Sequence, residues 1–267
     1  MQRRYFLPAA AGSLLSGCRL IQTDRANAAS GVRLLARPRS QVSGCEPGVR
    51  PLGLRPKRDA LLYVPKVANA EEPAPLVVYL HGATGSEQQG INRLSSFADE
   101  MGFLLLSPAS EDGTWDGIQG GYGADVRSID EALKRTFGMR RVDARRIGLA
   151  GFSDGASYGL GLGLANGDLF TSIMAFSPGF IPPGAKPAGK PRIFISHGTH
   201  DSILPIESCS RRLVPALKQA GHSVTYREFE GPHAAPKEIV QEAMRWFLVS
   251  VKAVLSGFSL YLCTAPS

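Results

Sequence analysis

The chain has 267 residues, of which 43% are hydrophobic and 20% are charged, an ordinary globular composition with room for one large core. Its formal charge of +7 is concentrated in residues 19–58, which hold nine basic and two acidic side chains. That segment contains no aromatic residue, so it lacks the interleaved basic and aromatic pattern of a nucleic-acid-binding surface. We therefore expect no nucleic-acid partner.

Residues 1–17 predict an export signal. Arg3 and Arg4 precede an apolar run about half as long as the ~20 residues that a membrane-spanning helix needs. The run Arg-Arg-Tyr-Phe-Leu resembles a twin-arginine signal, and the Leu-Ser-Gly-Cys that ends at Cys18 resembles a bacterial lipobox. We expect export to the periplasm or cell envelope, with a lipid anchor at Cys18 that attaches the protein to a membrane. A plain signal peptide cut near residues 26–28 is the alternative.

Residues 18–56 are rich in Arg, Pro, Gly and Ser and are predicted to be a basic linker. A solvated spacer is one interpretation, and a membrane-proximal polybasic segment attracted to anionic lipid is the other. We expect the folded domain to cover residues 57–252. Residues 253–267 form a tail to which we assign no role.

From residue 57 onward, short apolar strands alternate with amphipathic helices. This pattern is typical of an α/β fold with a mostly parallel sheet that is covered by helices on both faces. The predicted strands are 60–64, 76–80, 103–106, 147–150, 172–176, 192–196 and 223–229, and the predicted helices are 92–101, 125–137, 156–165, 207–220 and 236–251.

One serine lies at a sharp turn between a predicted strand and a predicted helix. Residues 151–155 read Gly-Phe-Ser-Asp-Gly, which matches the pattern G-x-S-x-G. The two glycines lack bulk, so the strand and the helix can approach each other around the strained turn. The helix N-terminus below the hydroxyl favours developing negative charge. Ser153 is therefore predicted to be a nucleophile at a strand–turn–helix elbow.

A serine nucleophile needs a base that accepts its proton. His233 stands in a Gly-Pro-His turn directly after the last predicted strand, where side chains reach the carboxyl edge of the sheet. We predict that His233 is the base. His200 is its main rival.

The base needs an acid that orients its ring. Asp201 follows strand 192–196 and should lie at the same sheet edge as the serine and the histidine. Asp154 is too close to the serine in the chain, and Asp168 lies at the far end of the following helix. We therefore predict that Asp201 is the acid.

Charge that develops on a carbonyl oxygen needs donors already in place, and one such donor is worth about 3–4 kcal/mol in subtilisin. We predict the backbone N–H groups of Ala83 and Asp154 as these oxyanion donors, with Ala83 in the small-residue loop 81–86. Trp115 and Thr84 are predicted to line a substrate pocket. The alternative for Trp115 is a loop residue that closes over the core.

Besides Cys18, the chain contains Cys45, Cys209 and Cys263, which allow three different disulfide pairings. No C-x-x-C motif and no Cys/His ligand spacing occurs, so we predict no metal site. We expect no cofactor.

Together these motifs resemble the α/β-hydrolase family over about residues 57–252. Within that family the chain is similar to the small lidless esterases of the dienelactone hydrolase, phospholipase/carboxylesterase and polyhydroxybutyrate depolymerase-like groups. The resemblance implies a nucleophile at Ser153, a base at His233 and an acid at Asp201. The motifs are Leu-His-Gly at 80–82, Gly-Phe-Ser-Asp-Gly at 151–155, His-Gly-Thr-His-Asp at 197–201 and Gly-Pro-His at 231–233.

The resemblance implies a serine hydrolase that cleaves carboxylic esters through an acyl-enzyme. Residues 177–191 contain five prolines and no helical period, so we expect no large lid, and small or soluble esters as substrates. Nothing in the linker resembles a binding domain for solid polyester. A serine peptidase, an acyltransferase and a non-catalytic exported lipoprotein are the alternatives. The sequence sets no oligomeric state.

Overall fold

The computed structural model of the protein describes residues 31–69, 71–184 and 186–249. The predicted signal peptide, Cys18, Cys263 and the tail 253–267 lie outside these ranges. Cys45 is half-buried, Cys209 is buried, and both are free thiols.

Eight strands form a single sheet. They are β1 (Gly48–Pro51), β2 (Leu61–Val64), β3 (Ala74–Leu80), β4 (Leu104–Ser107), β5 (Val142–Phe152), β6 (Ser172–Phe176), β7 (Arg192–Gly198) and β8 (Val224–Phe229). Their order across the sheet is β1-β2-β4-β3-β5-β6-β7-β8. β2 pairs antiparallel with β1 and with β4, whereas all the other neighbours are parallel. The carboxyl ends of β3 to β8 therefore share one edge of the sheet.

Five α-helices cover the two faces of this sheet. They are α1 (Glu87–Met101), α2 (Ala124–Met139), α3 (Asp154–Ala165), α4 (Ser210–Gln219) and α5 (Lys237–Leu248). The buried residues of α1 and α5 belong to one apolar cluster, and those of α2, α3 and α4 belong to two others. A short 3₁₀ helix, Asp116–Gln119, precedes α2. The prediction of an α/β fold with helices on both faces is confirmed.

Two of the central strands, β3 and β6, are buried along their whole length because helices cover the sheet on both sides. All seven residues of β3 and all five of β6 are buried. Helix α1 begins at Glu87 rather than at residue 92, as the sequence predicted, and its early part contributes the buried Gly90 and Ile91. The predicted start was late because the prediction used the spacing of the larger apolar residues, which begins at residue 94.

The described part of the predicted linker, residues 31–56, packs against the domain. Val32, Leu34 and Ala36 are each less than 5% exposed and belong to the main apolar cluster. Residues 48–51 add strand β1 to the edge of the sheet. The prediction of a linker is therefore wrong for this part of the chain, and the folded unit begins well before residue 57.

Two buried polar side chains hold the segment 31–37. Asn166 accepts the N–H of Leu34 at 2.8 Å and donates to the carbonyl oxygen of Val32 at 2.9 Å. One carboxylate oxygen of Asp130 accepts the two N–H groups of residues 35 and 36, each at 2.7 Å. These bonds satisfy backbone groups that no strand neighbour pairs, so an irregular segment can lie in the core.

Asp168 binds two of the basic residues of this segment. Its carboxylate pairs with the guanidinium groups of Arg33 and Arg37 at 2.8 and 2.5 Å. These pairs hold the pKa of Asp168 below its ordinary value, although burial acts in the opposite direction. These two arginines thus form ion pairs with the domain itself.

The connection between β6 and β7 forms no helical lid. Among its described residues, 177–184 and 186–191, there is no helix. No helix within the described ranges is long and apolar enough to cross a membrane.

We expect Asn166→Ala to lower the free energy of unfolding by at least about 1 kcal/mol, because a buried backbone group left without a partner costs about 1–3 kcal/mol. Urea titration followed by tryptophan fluorescence measures this change. Gln219→Ala, at the exposed end of α4, is the control and should stay within about 0.5 kcal/mol of the wild type. Equal stability of the wild type and Asn166→Ala would contradict the role that we assign to this side chain.

Candidate active site

Ser153 lies at the turn between β5 and α3 with a backbone that few residues adopt. Its φ is 56° and its ψ is −119°, outside the regions that non-glycine residues normally occupy. Its N–H donates to the carbonyl oxygen of Phe176 at 2.9 Å, and its carbonyl oxygen accepts from the first turn of α3. The strained turn is therefore held by β6 on one side and by the helix on the other.

The two glycines of the turn are required by close backbone contacts. A Cβ at Gly155 would lie 2.3 Å from the carbonyl oxygen of Leu80 and 2.4 Å from that of His81. A Cβ at Gly151 would lie 2.3 Å from the carbonyl oxygen of Gly155. Helix α3 can thus start directly against the end of β3 only where both side chains are missing.

The structure brings Ser153, His233 and Asp201 into one chain of hydrogen bonds. The distance from Ser153 Oγ to His233 Nε2 is 2.8 Å, and that from His233 Nδ1 to Asp201 Oδ2 is 2.6 Å. A carboxylate only accepts hydrogen bonds, so Nδ1 carries the ring proton and Nε2 is free to accept the serine proton. The side chain of Asp201 is fully buried and that of His233 is 14% exposed.

Asp201 is held as a carboxylate. Its Oδ1 accepts the N–H groups of Ile203 and Leu204 at 2.9 and 2.8 Å. Burial alone would raise the pKa of Asp201, but the bonds from Leu204, His233 and Ile203 outweigh it and hold the pKa below its ordinary value. The acceptor that faces His233 therefore stays charged at neutral pH.

The turn that carries His233 crosses directly over the end of β7. A Cβ at Gly198 would lie 2.3 Å from the carbonyl oxygen of Pro232, so only glycine allows this approach. Ser177, which follows β6, donates its hydroxyl to the carbonyl oxygen of Ala234 at 3.0 Å. His200, the rival base, is exposed, and its N–H donates to the carbonyl oxygen of Gly231. No hydrogen bond joins the described ring of His200 to Ser153.

The loop after β3 lies beside the serine. A Cβ at Gly82 would lie 3.5 Å from the Cβ of Ser153, so the residue before Ala83 packs against the nucleophile. Among the turn and loop hydrogen bonds of the described residues, neither the N–H of Ala83 nor that of Asp154 has a carbonyl acceptor. The first N–H groups of a helix have no partner within the helix, so that of Asp154 is available to a ligand.

Residues 123–250 match the phospholipase/carboxylesterase family. This segment contains all three residues of the hydrogen-bonded chain. The chain therefore has the α/β-hydrolase fold, and this segment of it matches that family.

Curated relatives of this α/β-hydrolase include esterases with fungal sources. The bifunctional acetylxylan esterase/xylanase XynS20E of Neocallimastix patriciarum is 30% identical over 191 residues, which are 66% of this chain and 27% of that protein. The probable feruloyl esterase C of Aspergillus oryzae is 24% identical over 195 residues, 65% of this chain and 71% of that protein. The chain spans only about a quarter to a third of the first two relatives that it matches.

Solved structures share the fold. Esterase PE8 superimposes with a TM-score of 0.54 at 22% identity, over 70% of this chain and 97% of that one. The ferulic acid esterase AmCE1/Fae1A of Anaeromyces mucronatus, solved with ferulic acid, gives a TM-score of 0.58 at 16% identity, over 79% and 93%.

Trp115 does not line a pocket in this α/β-hydrolase. Its side chain is fully buried, stacks on Tyr158 and donates its Nε1–H to the carbonyl oxygen of His81 at 2.9 Å. The prediction of a substrate contact is therefore wrong. Trp115 is instead a loop residue that closes over the core, which was the alternative. Thr84 is exposed on the loop after β3, with a φ of 56° and its hydroxyl bonded to the carbonyl oxygen of Ala83.

The buried side chain of His81 holds the loop after β3 in place. The buried ring accepts the N–H of Ser110 on Nε2 at 3.0 Å and donates from Nδ1 to the carbonyl oxygen of Gly82 at 2.7 Å. Arg58 donates to the carbonyl oxygen of Gly85 at 3.0 Å. These contacts, together with Trp115, position the predicted oxyanion loop.

The sequence reasoning missed the role of His197. Its Nε2 lies 3.1 Å from Asp201 Oδ2 and 2.8 Å from the carbonyl oxygen of Leu204, and its Nδ1 lies 2.7 Å from Ser210 Oγ. Both groups at Nε2 are acceptors, so this nitrogen carries the proton and Nδ1 accepts from the serine hydroxyl. The one N–H of this ring donates to the carbonyl oxygen of Leu204, and the ring also lies against the Asp201 carboxylate. The spacing of four residues between His197 and Asp201 was the available signal.

Within the described ranges, no group of three His, Cys, Asp or Glu side chains is arranged to hold a metal ion. The residues described above provide a hydroxyl, a base hydrogen-bonded to it, and two N–H groups without a carbonyl acceptor.

We expect His197 to make stability depend on pH. Burial lowers the pKa of His197 in the fold, so below about pH 6.5 the unfolded chain takes up a proton that the folded chain does not. This group therefore stabilises the fold above that pH and less as the pH falls. The unfolding free energy should fall less between pH 7 and pH 5 in His197→Gln than in the wild type.

Urea unfolding at the two pH values measures the difference. The variant of the exposed His200, His200→Gln, is the control and should keep the wild-type dependence. Equal pH dependence in the wild type and His197→Gln would mean that the ring is not held neutral.

Proposed function

We propose that this α/β-hydrolase cleaves carboxylic esters with Ser153 as its nucleophile. The observation that carries the proposal is the chain of hydrogen bonds from Ser153 through His233 to the buried Asp201. The family match and the named esterases among the relatives support the same reaction.

The first half of the reaction acylates the serine. Ser153 Oγ attacks the acyl carbonyl while His233 Nε2 takes its proton. The charged Asp201 keeps the ring in the correct tautomer and stabilises the imidazolium that forms. His233 then gives the proton to the oxygen of the departing alcohol, and the acyl group stays on Ser153.

The N–H groups of Ala83 and Asp154 are the proposed oxyanion donors. They are fixed to the backbone before the substrate arrives, so they need no reorganisation when the carbonyl oxygen becomes negative. The second half of the reaction repeats these steps with water, which His233 activates and which releases the acid.

Small or soluble esters are the proposed substrates. The short connection between β6 and β7 leaves the carboxyl edge of the sheet without a helical cover in its described part. The names of the relatives refer to acetylxylan and feruloyl esters, which are acyl groups on polysaccharide. We propose a related acyl ester for this chain.

We expect Ser153→Ala to lose at least about 10³-fold in kcat/KM for p-nitrophenyl acetate and to lose labelling by a fluorophosphonate probe. His200→Gln, which changes an exposed residue at the same edge, should retain both. Retained turnover and labelling in Ser153→Ala would refute the proposed nucleophile. Cleavage of peptide amides in preference to esters would identify a peptidase, and transfer of the acyl group to added alcohols in preference to water would identify an acyltransferase.

We also propose that residues 1–17 direct export and that Cys18 carries a lipid anchor. The support is the Arg-Arg-Tyr-Phe-Leu run and the Leu-Ser-Gly-Cys motif at one terminus.

We expect the full chain, expressed in a bacterial host and grown with labelled palmitate, to incorporate label and to fractionate with membranes. Cys18→Ala should lose both properties, whereas Cys45→Ala should keep them. An exported wild-type chain that is soluble and unlabelled would exclude the anchor.

A further inference from the structure

A cavity of about 570 Å³ opens between α1 and the first turn of α5, next to the candidate site. Its apolar wall consists of two phenylalanines, an alanine and a valine, and its other residues are polar or basic. The lining residues are Gln89, Asn92, Arg93, Ser96, Phe97, Phe152, Ala235, Lys237 and Val240.

The two charged groups that line the cavity are both positive. Arg93 and Lys237 line it, and no Asp or Glu side chain does. Two acidic residues of the same helices form ion pairs elsewhere, Glu242 with Arg227 and Glu100 with Arg245. Within the described ranges, no carboxylate forms an ion pair with Arg93 or Lys237. The cavity therefore attracts negative charge.

Arg93 is held in place before any ligand binds. Its Nη1 donates to the carbonyl oxygen of Ala235 at 2.9 Å, and its guanidinium carbon lies 5.5 Å from the centroid of the Phe152 ring. A guanidinium has five N–H donors, so this one bond leaves others for a ligand. Its planar fork matches the geometry of a carboxylate.

The cavity adjoins the alcohol side of the candidate site. The Phe152 ring lies between the two, because Arg93 packs on it and its centroid is also 4.8 Å from that of the His233 ring. Ala235 follows His233 by two residues. His233 gives its proton to the oxygen of the leaving alcohol, so the alcohol portion of the ester lies against the His233 ring.

We propose that this cavity binds a carboxylate carried by the alcohol portion of the ester, and this inference rests on the proposed esterase function. Arg93 and Lys237 bind the anion, and the amides of Gln89 and Asn92 with the hydroxyl of Ser96 bind neighbouring polar groups. Phe152 supplies an apolar surface for the part of the alcohol between the ester and the anion. Neither Ser153 nor His233 lines the cavity, so it determines specificity rather than chemistry.

The test compares two acetyl esters, 4-acetoxybenzoate and methyl 4-acetoxybenzoate. The first carries a free carboxylate on its alcohol portion, and in the second that carboxylate is methylated and neutral. The measured quantity is the ratio of kcat/KM for the anionic substrate to that for the neutral one. We expect Lys237→Gln to lower this ratio about tenfold, the loss typical of one charge-assisted hydrogen bond. The wild-type ratio should also fall as salt is added, because salt screens a partly exposed ion pair.

Two further variants complete the design. Arg93→Gln should lower the ratio at least as much as Lys237→Gln. This variant also loses the bond to Ala235, but a loss of activity that affects both substrates equally cancels in the ratio. Lys218→Gln, on an exposed position of α4 at the opposite face of the sheet, is the matched control and should leave both rates unchanged.

A second substrate pair carries the anion on the acyl portion, 4-nitrophenyl hemisuccinate against 4-nitrophenyl butyrate. We expect Lys237→Gln to leave this second ratio unchanged. An unchanged first ratio, or a loss confined to the acyl pair, would overturn the inference while the hydrolysis itself upholds the proposed function. If the wild type cleaves none of the four esters, the proposed function fails and the inference fails with it.

Discussion

The N-terminus of α3 rests directly on the end of β3, and the position of the nucleophile in the candidate site depends on that contact. Gly155 lies against the carbonyl oxygens of Leu80 and His81 with no room for a Cβ. The turn before it must therefore be sharp, which forces Ser153 into its unusual backbone conformation. The same approach puts the free N–H of Asp154 beside the loop that contains Ala83. One glycine contact thus sets both the hydroxyl and the N–H of Asp154, one of the two proposed oxyanion donors.

The parallel strands bring the other groups to this point. β5, β7 and β8 end at the same edge, so residues that are 32 and 80 positions apart in the chain, His233 with Asp201 and with Ser153, become hydrogen-bonding neighbours. Contacts at Gly198 and at Ser177 help to fix the turn that carries His233. The cavity between α1 and α5 lies just outside this arrangement. Two of its lining residues, Phe152 and Ala235, are close in the chain to Ser153 and His233.

Much of this could be predicted because the signals are local. The alternation of apolar strands and amphipathic helices specified an α/β fold, and each motif followed a predicted strand, which specified the shared edge. The failures concern contacts between distant residues. Composition alone made residues 31–56 resemble a linker, since nothing local reveals that Asn166 and Asp130 bind their backbone. Trp115 was misplaced for the same reason, because its partner His81 lies 34 residues away. The contact of His197 with Asp201 was missed because it depends on how the loop after β7 folds back.

The attachment of residues 31–37 has a consequence for how the molecule would be oriented at a surface. This segment is bound at Asn166 and Asp168, just beyond the carboxyl end of α3, whereas Ser153 precedes the opposite end of the same helix. Twelve helical residues separate the two by about 18 Å. A membrane tether that enters through this segment would therefore pull on the side of the protein away from Ser153. The reactive edge would point outward, toward dissolved molecules, and not into the lipid.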